Sequence, residues 1–189
     1  MFSKFVAVVL TSVILILAVE IIAYVIMGLM FGFGDASYPM FVGTKYEYDL
    51  LKVVNEGHPM KTIVGSTYII SRASFIIRGF LIQILFIIAA ASFSFLLSTV
   101  LKSSMVSISL SIVTAIVFAI LQNLPYISKA APYLFTTYGN AFILMQGQLP
   151  LSFQNPIFTT NFGVIVLAGW SVVCYLMAHI VFVKRDILI

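Results

Sequence analysis

The chain has 189 residues, of which 62% are hydrophobic and 8% charged, with a net charge of +4. Soluble domains carry about 25% charged residues, so these side chains cannot build a water-facing shell and the bilayer must solvate most of the chain. The basic residues form no run of the kind that tracks a phosphate backbone, and no nucleic-acid partner is expected. The lone Cys174 excludes an internal disulfide, and with only two histidines, His58 and His179, no metal-ligand spacing is matched. No metal and no cofactor are expected.

The pattern predicts an all-α, polytopic membrane bundle, residues 1–189 forming a single transmembrane domain. Four apolar runs are long enough to cross, at about 20 residues each: 5–33, 75–100, 105–124 and 163–183. Each must be helical, because lipid offers no partner to a free backbone group. The first run starts basic at Lys4. It is too long for the apolar core of a secretory signal, and a cleaved leader is not expected.

Glu20 lies in mid-span, where an ionisable side chain is costly and marks a functional candidate. Three roles are open to it: lining a translocation path, hydrogen bonding to another helix, or facing water at a subunit seam. No cation lies at similar depth in another span, which favours the last two.

The main polar segment, 34–74, is expected to be an external loop. Tyr46 to Asn55 reads as a short helix ended by Gly57 and Pro59. Arg72 and Arg78 read as part of an interfacial helix whose guanidinium groups snorkel to the headgroups. The second and third runs are joined only by Leu101 to Ser104, a tight hairpin carrying Lys102.

Small residues recur every four positions: Gly28 and Gly32 in the first run, Ala90, Ser94 and Ser98 in the second, Ser107, Ser111, Ala115 and Ala119 in the third. This spacing lets helix backbones approach closely. Serines there also bond to their own backbone. Residues 125–162 hold Pro125, Pro132, Pro150 and Pro156 with Gly139 and Gly147, yet Tyr133 to Met145 is apolar. A broken segment, re-entrant or lying at the interface, fits this pattern. The last run exits at Lys184-Arg185, a cytoplasmic mark, and His179 falls near its headgroup end.

With the tail inside, Lys4, Lys102, Lys184 and Arg185 are cytoplasmic, and Lys45, Lys52, Lys61, Arg72, Arg78 and Lys129 are external. That raw count opposes the positive-inside rule. The inside basics are nevertheless dense and adjacent to span ends, so both termini are placed inside. No nucleotide-binding glycine loop, zinc-protease motif or nucleophile elbow occurs, and the chain is not expected to be an enzyme.

Three stretches carry a family likeness. The turn Ser98-Thr99-Val100-Leu101-Lys102-Ser103-Ser104 leads the third run. Ala131-Pro132-Tyr133 and then Gly147 precede the last. The chain closes on Phe182-Val183-Lys184-Arg185-Asp186-Ile187. Together they resemble the C-terminal four spans of the type-2 permeases of bacterial ABC exporters. The resemblance implies a permease subunit in a bacterial plasma membrane. It implies a second permease chain, identical or different, and separate ATPase subunits that hydrolyse the nucleotide. Lys4, Lys102, Lys184 and Arg185 are then candidate cytoplasmic contacts. The family has six spans, so the chain is expected to be N-terminally incomplete. The competing readings are a non-transporting four-span protein, such as an immunity or regulatory subunit, and an intramembrane enzyme using Glu20 and His179.

Overall fold

The structure, a computed structural model, describes residues 2–49, 60–101, 103–122, 124 and 129–186. The chain is mostly helical. In order it forms α1 (Phe2–Phe31), β1 (Pro39–Val42), β2 (Tyr46–Tyr48), β3 (Met60–Thr62), β4 (Tyr68–Ser71), α2 (Arg72–Val100) and α3 (Ser104–Leu121). Two 3₁₀ turns follow, Ala131–Tyr133 and Phe135–Tyr138, then α4 (Ala141–Gln146), α5 (Leu149–Phe153) and α6 (Thr160–Asp186).

Three helices are long and apolar enough to cross a membrane, Phe2–Phe31, Arg72–Val100 and Thr160–Lys184, and Met105–Leu121 is a shorter apolar helix. The chain therefore reads as membrane-embedded. Two compact units divide it, one of residues 1–34, 84–118 and 167–189, the other of 35–83 and 119–166.

The first unit is helical. Its interior is built from small side chains: Ala89, Ser92, Ser107, Cys174 and Ala178 are buried, with Leu167 among them. Such residues let helix backbones come close, which is where packing energy is found when lipid removes the hydrophobic drive. Aromatic rings lock the contacts. Phe5 lies 4.7 Å from Tyr175 and 5.3 Å from Phe95, and Phe93 meets Trp170 edge-on at 6.2 Å. Most of α1 is bare. Leu10, Ile14, Leu15 and Ile22 are all exposed, a surface suited to lipid or another apolar helix.

The second unit departs from the all-helical expectation. Residues 39–71 form two antiparallel pairs, β1 with β4 (Val42 opposite Tyr68) and β2 with β3 (Glu47 opposite Lys61). The helix expected over Tyr46–Asn55 is contradicted where it can be seen, since Tyr46–Tyr48 is strand; Leu50 to Asn55, with Gly57 and Pro59, lie outside the described residues. The physical reason is local. Tyr, Phe, Val and Ile favour a pleated, half-buried ladder, and Val42 and Met60 each bury on one face of theirs. Arg72 does not open a separate interfacial helix either. It starts the unbroken α2 and stacks on Tyr38, 5.2 Å from the ring centre.

Residues 129–159 fold into the short turns and helices that the prolines dictate. Tyr138 is the pivot. It is fully buried, and its hydroxyl donates to the Pro132 carbonyl at 2.6 Å. Burial, and secondarily the neighbouring Tyr133, push its ionisation well above the ordinary tyrosine range. Asn140 caps α4, its Oδ1 accepting from the Phe142 and Ile143 amides. Gly147 ends α4 with φ 74°, and a Cβ there would collide with the Thr44 carbonyl. That close approach seats α4 on β1, together with the bond from the Gly43 amide to the Met145 carbonyl at 2.9 Å.

Candidate functional site

Among the described residues, two places bring polar groups together or shield them without a partner. The first is Glu20, in the tenth to twentieth residues' stretch of α1. Its Oε2 is shielded from solvent and has no hydrogen-bond partner among the described residues. An acid in an apolar helix carries a large desolvation cost, so a shielded, unpaired oxygen is a feature that needs a role.

The second is a pair of adjoining hollows in the second unit. One, of about 220 Å³, is lined by Thr44, Lys45, Ser66 and Tyr68 from the strand region and by Thr159, Thr160 and Asn161 at the start of α6, over Leu144 and Phe158. The other, of about 290 Å³, shares Tyr68, Thr160 and Asn161 and adds Arg78, Leu81, Ile82, Val42 and Met145. The local sequence explains the shape. Gly43 and Gly147 bring β1 and α4 together, while the long α2 and α6 supply the walls.

Some polar groups on the walls are already committed. Thr44 and Thr67 share a hydroxyl bond at 3.0 Å, Ser66 donates to the Ile63 carbonyl at 2.7 Å and accepts from the Lys45 amide, and the Thr159 hydroxyl accepts from the Phe162 amide. The side chains of Lys45, Tyr68, Arg78, Thr160 and Asn161 make no hydrogen bond or ion pair among the described residues. Among the described residues no carboxylate lines either hollow. From the sequence, Lys45 entered only an external count of charges, and Arg78 that count and an interfacial helix. What it missed is that residues 45, 68, 78 and 160–161 converge, and no local spacing signals that.

The small-residue stripes divide. Ser107 and Ser111 are buried, and Ser111 donates back to the Ser107 carbonyl at 2.8 Å. Ala115 is half-buried and Ala119 exposed. In α2 the buried residues are Ala89, Ala91 and Ser92, whereas Ala90 is half-buried and Ser94 and Ser98 are exposed. In α1, Gly28 is filled by the Phe33 ring, and Gly32 lies beyond the helix with φ 86° and nothing near it. These two glycines close the helix on itself.

Lys4 and Lys184 are exposed near the two chain ends of α1 and α6. Arg185 lies in α6, and Lys102 is outside the described residues. His179 is exposed and stacks on Tyr175 at 6.4 Å. Among the described residues no group of His, Cys, Asp or Glu could hold a metal ion.

The chain belongs to the family described as protein of unknown function (DUF2705), whose profile matches residues 1–188. No curated protein and no solved structure matches it.

Proposed function

We propose that this family member is the transmembrane subunit of an ATP-driven exporter, a permease that works with a second permease chain and a separate ATPase subunit. The observation that supports it most is the order of elements. An 18-residue apolar helix, α3, begins four residues after the end of α2, and a proline- and glycine-broken stretch with the brief helices α4 and α5 leads straight into the 27-residue α6. In this reading α3 is a fourth crossing. The stretch from 125 to 162 closes the outer mouth, and both termini face the cytoplasm of a bacterial cell. Irregular backbone at membrane depth is tolerated where protein buries it or it lines a cavity, and Ala131, Phe135, Tyr138 and Leu144 are buried.

Glu20 is the path residue in this reading, supported by its shielded and unpaired Oε2. Lys4, Lys102, Lys184 and Arg185 contact the ATPase subunit.

The test is affinity purification of the full chain from its native membrane in mild detergent, followed by an ATP-hydrolysis assay of the eluate. An ATPase subunit is expected to co-purify, and Lys4→Glu or Lys102→Glu should weaken its retention. An eluate without ATPase activity from a membrane that retains its other known complexes would defeat the reading.

A further inference from the structure

We propose that the paired hollows of the second unit bind the phosphate-bearing headgroup of an anionic membrane lipid. The site needs only that the chain is embedded in a bilayer, and it stands or falls separately from export.

Charge points to an anion. Lys45 lines one hollow and Arg78 the other, and among the described residues no carboxylate lines either. Hydrogen bonding points the same way. Tyr68, Thr160 and Asn161 line both hollows, and their side-chain hydroxyl and amide groups have no partners among the described residues. Phosphate and glycerol oxygens accept from such groups, and guanidinium binds phosphate through two parallel bonds.

Size and surroundings separate a lipid from other anions. Taken singly, hollows of about 220 and 290 Å³ are smaller than the roughly 300–1,000 Å³ of pockets that enclose whole drug-sized ligands, so neither encloses a whole lipid. They suit a headgroup whose remainder lies outside. Beside Arg78 the wall is apolar, made by Leu81, Ile82 and Met145. A free phosphate ion gains nothing there, whereas the glycerol backbone and first methylenes of a phospholipid bury against it. Arg78 also stands in the second turn of α2, a helix apolar enough to span, with Arg72 at the start of the same helix. That is the headgroup depth at which arginines snorkel.

The experiment uses the full chain in nanodiscs of phosphatidylcholine doped with phosphatidylglycerol, with retained lipid read by native mass spectrometry. Phosphatidylglycerol is expected to be enriched on the wild type. Arg78→Gln and Lys45→Gln should each lower that enrichment about fivefold, the usual worth of one basic residue at an anionic surface. Arg78→Lys should keep more of it than Arg78→Gln. Lys61→Gln, an exposed cation on β3 outside both hollows, should change nothing. Equal loss from Lys61→Gln would show a diffuse charge effect and overturn the site. So would equal retention of phosphatidylcholine, or displacement of the lipid by millimolar inorganic phosphate, which would assign the hollows to a free anion.

Discussion

Replacing Tyr138 by Phe tests whether one buried hydroxyl holds the stretch before α6 together. The ring stays, so no large cavity opens. What is lost is the 2.6 Å bond to the Pro132 carbonyl, in a place where both Tyr138 and Pro132 are buried. An acceptor left unsatisfied in the interior costs about 1–3 kcal/mol, which is about a 5- to 150-fold rise in the open population. Amide hydrogen exchange over residues 131–147 reads that opening directly. The ionisation of Tyr138 adds a second arm. Burial, then Tyr133, raise its folded value above the unfolded value of about 10. The native state therefore holds a proton that the unfolded chain releases. Stability from this source is complete below pH ~10 and falls as pH rises toward the folded value. Wild type should lose protection in this stretch above pH ~10, and Tyr138→Phe should lose less over the same interval. Unchanged exchange in the variant at neutral pH, or identical alkaline slopes, would refute the reasoning.

Gly147→Val should open α4 by more than about 2 kcal/mol, because it combines a left-handed backbone with a Cβ driven at the Thr44 carbonyl; exchange of residues 141–146 reads it. Asn140→Ala should cost about 1 kcal/mol at the same helix, and Asn140→Asp, which keeps the acceptor for the Phe142 and Ile143 amides, should recover most of it. Glu20→Gln should reduce export with protein level and melting temperature preserved. Unchanged export in a cell-based accumulation or resistance assay would remove Glu20 from the path.

Length and hydropathy alone carried the long helices α1, α2, α3 and α6, to within a few residues. Lipid forces this legibility, since a spanning segment has no alternative to the helix. The region from Pro39 to Ser71 was not legible. Its strands are three or four residues long, too short for a period of two to stand out, and their pairing joins Val42 to Tyr68 across a long loop. Serine spacing found the buried face of α3 at Ser107 and Ser111. In α2 the same spacing selected Ala90, Ser94 and Ser98, while Ala91 and Ser92 next to them are buried. Residues on adjacent faces of a helix differ by only one position, and an all-apolar helix gives no polar side to orient it. The hollows were hidden for a different reason: Lys45, Arg78 and Asn161 meet only once the chain has folded back on itself.

The account rests on four crossings, and site-directed cysteine labelling tests it most directly. In a Cys174→Ala background, single cysteines replace Lys4, Lys61, Ser103, Ala130 and Lys184, and intact cells are treated with an impermeant maleimide. Lys61→Cys and Ala130→Cys should react from outside, while Lys4→Cys, Ser103→Cys and Lys184→Cys should react only after the membrane is opened. Reaction of Ser103→Cys and Ala130→Cys from the same side would show that α3 does not cross, and the four-span permease would fall with it.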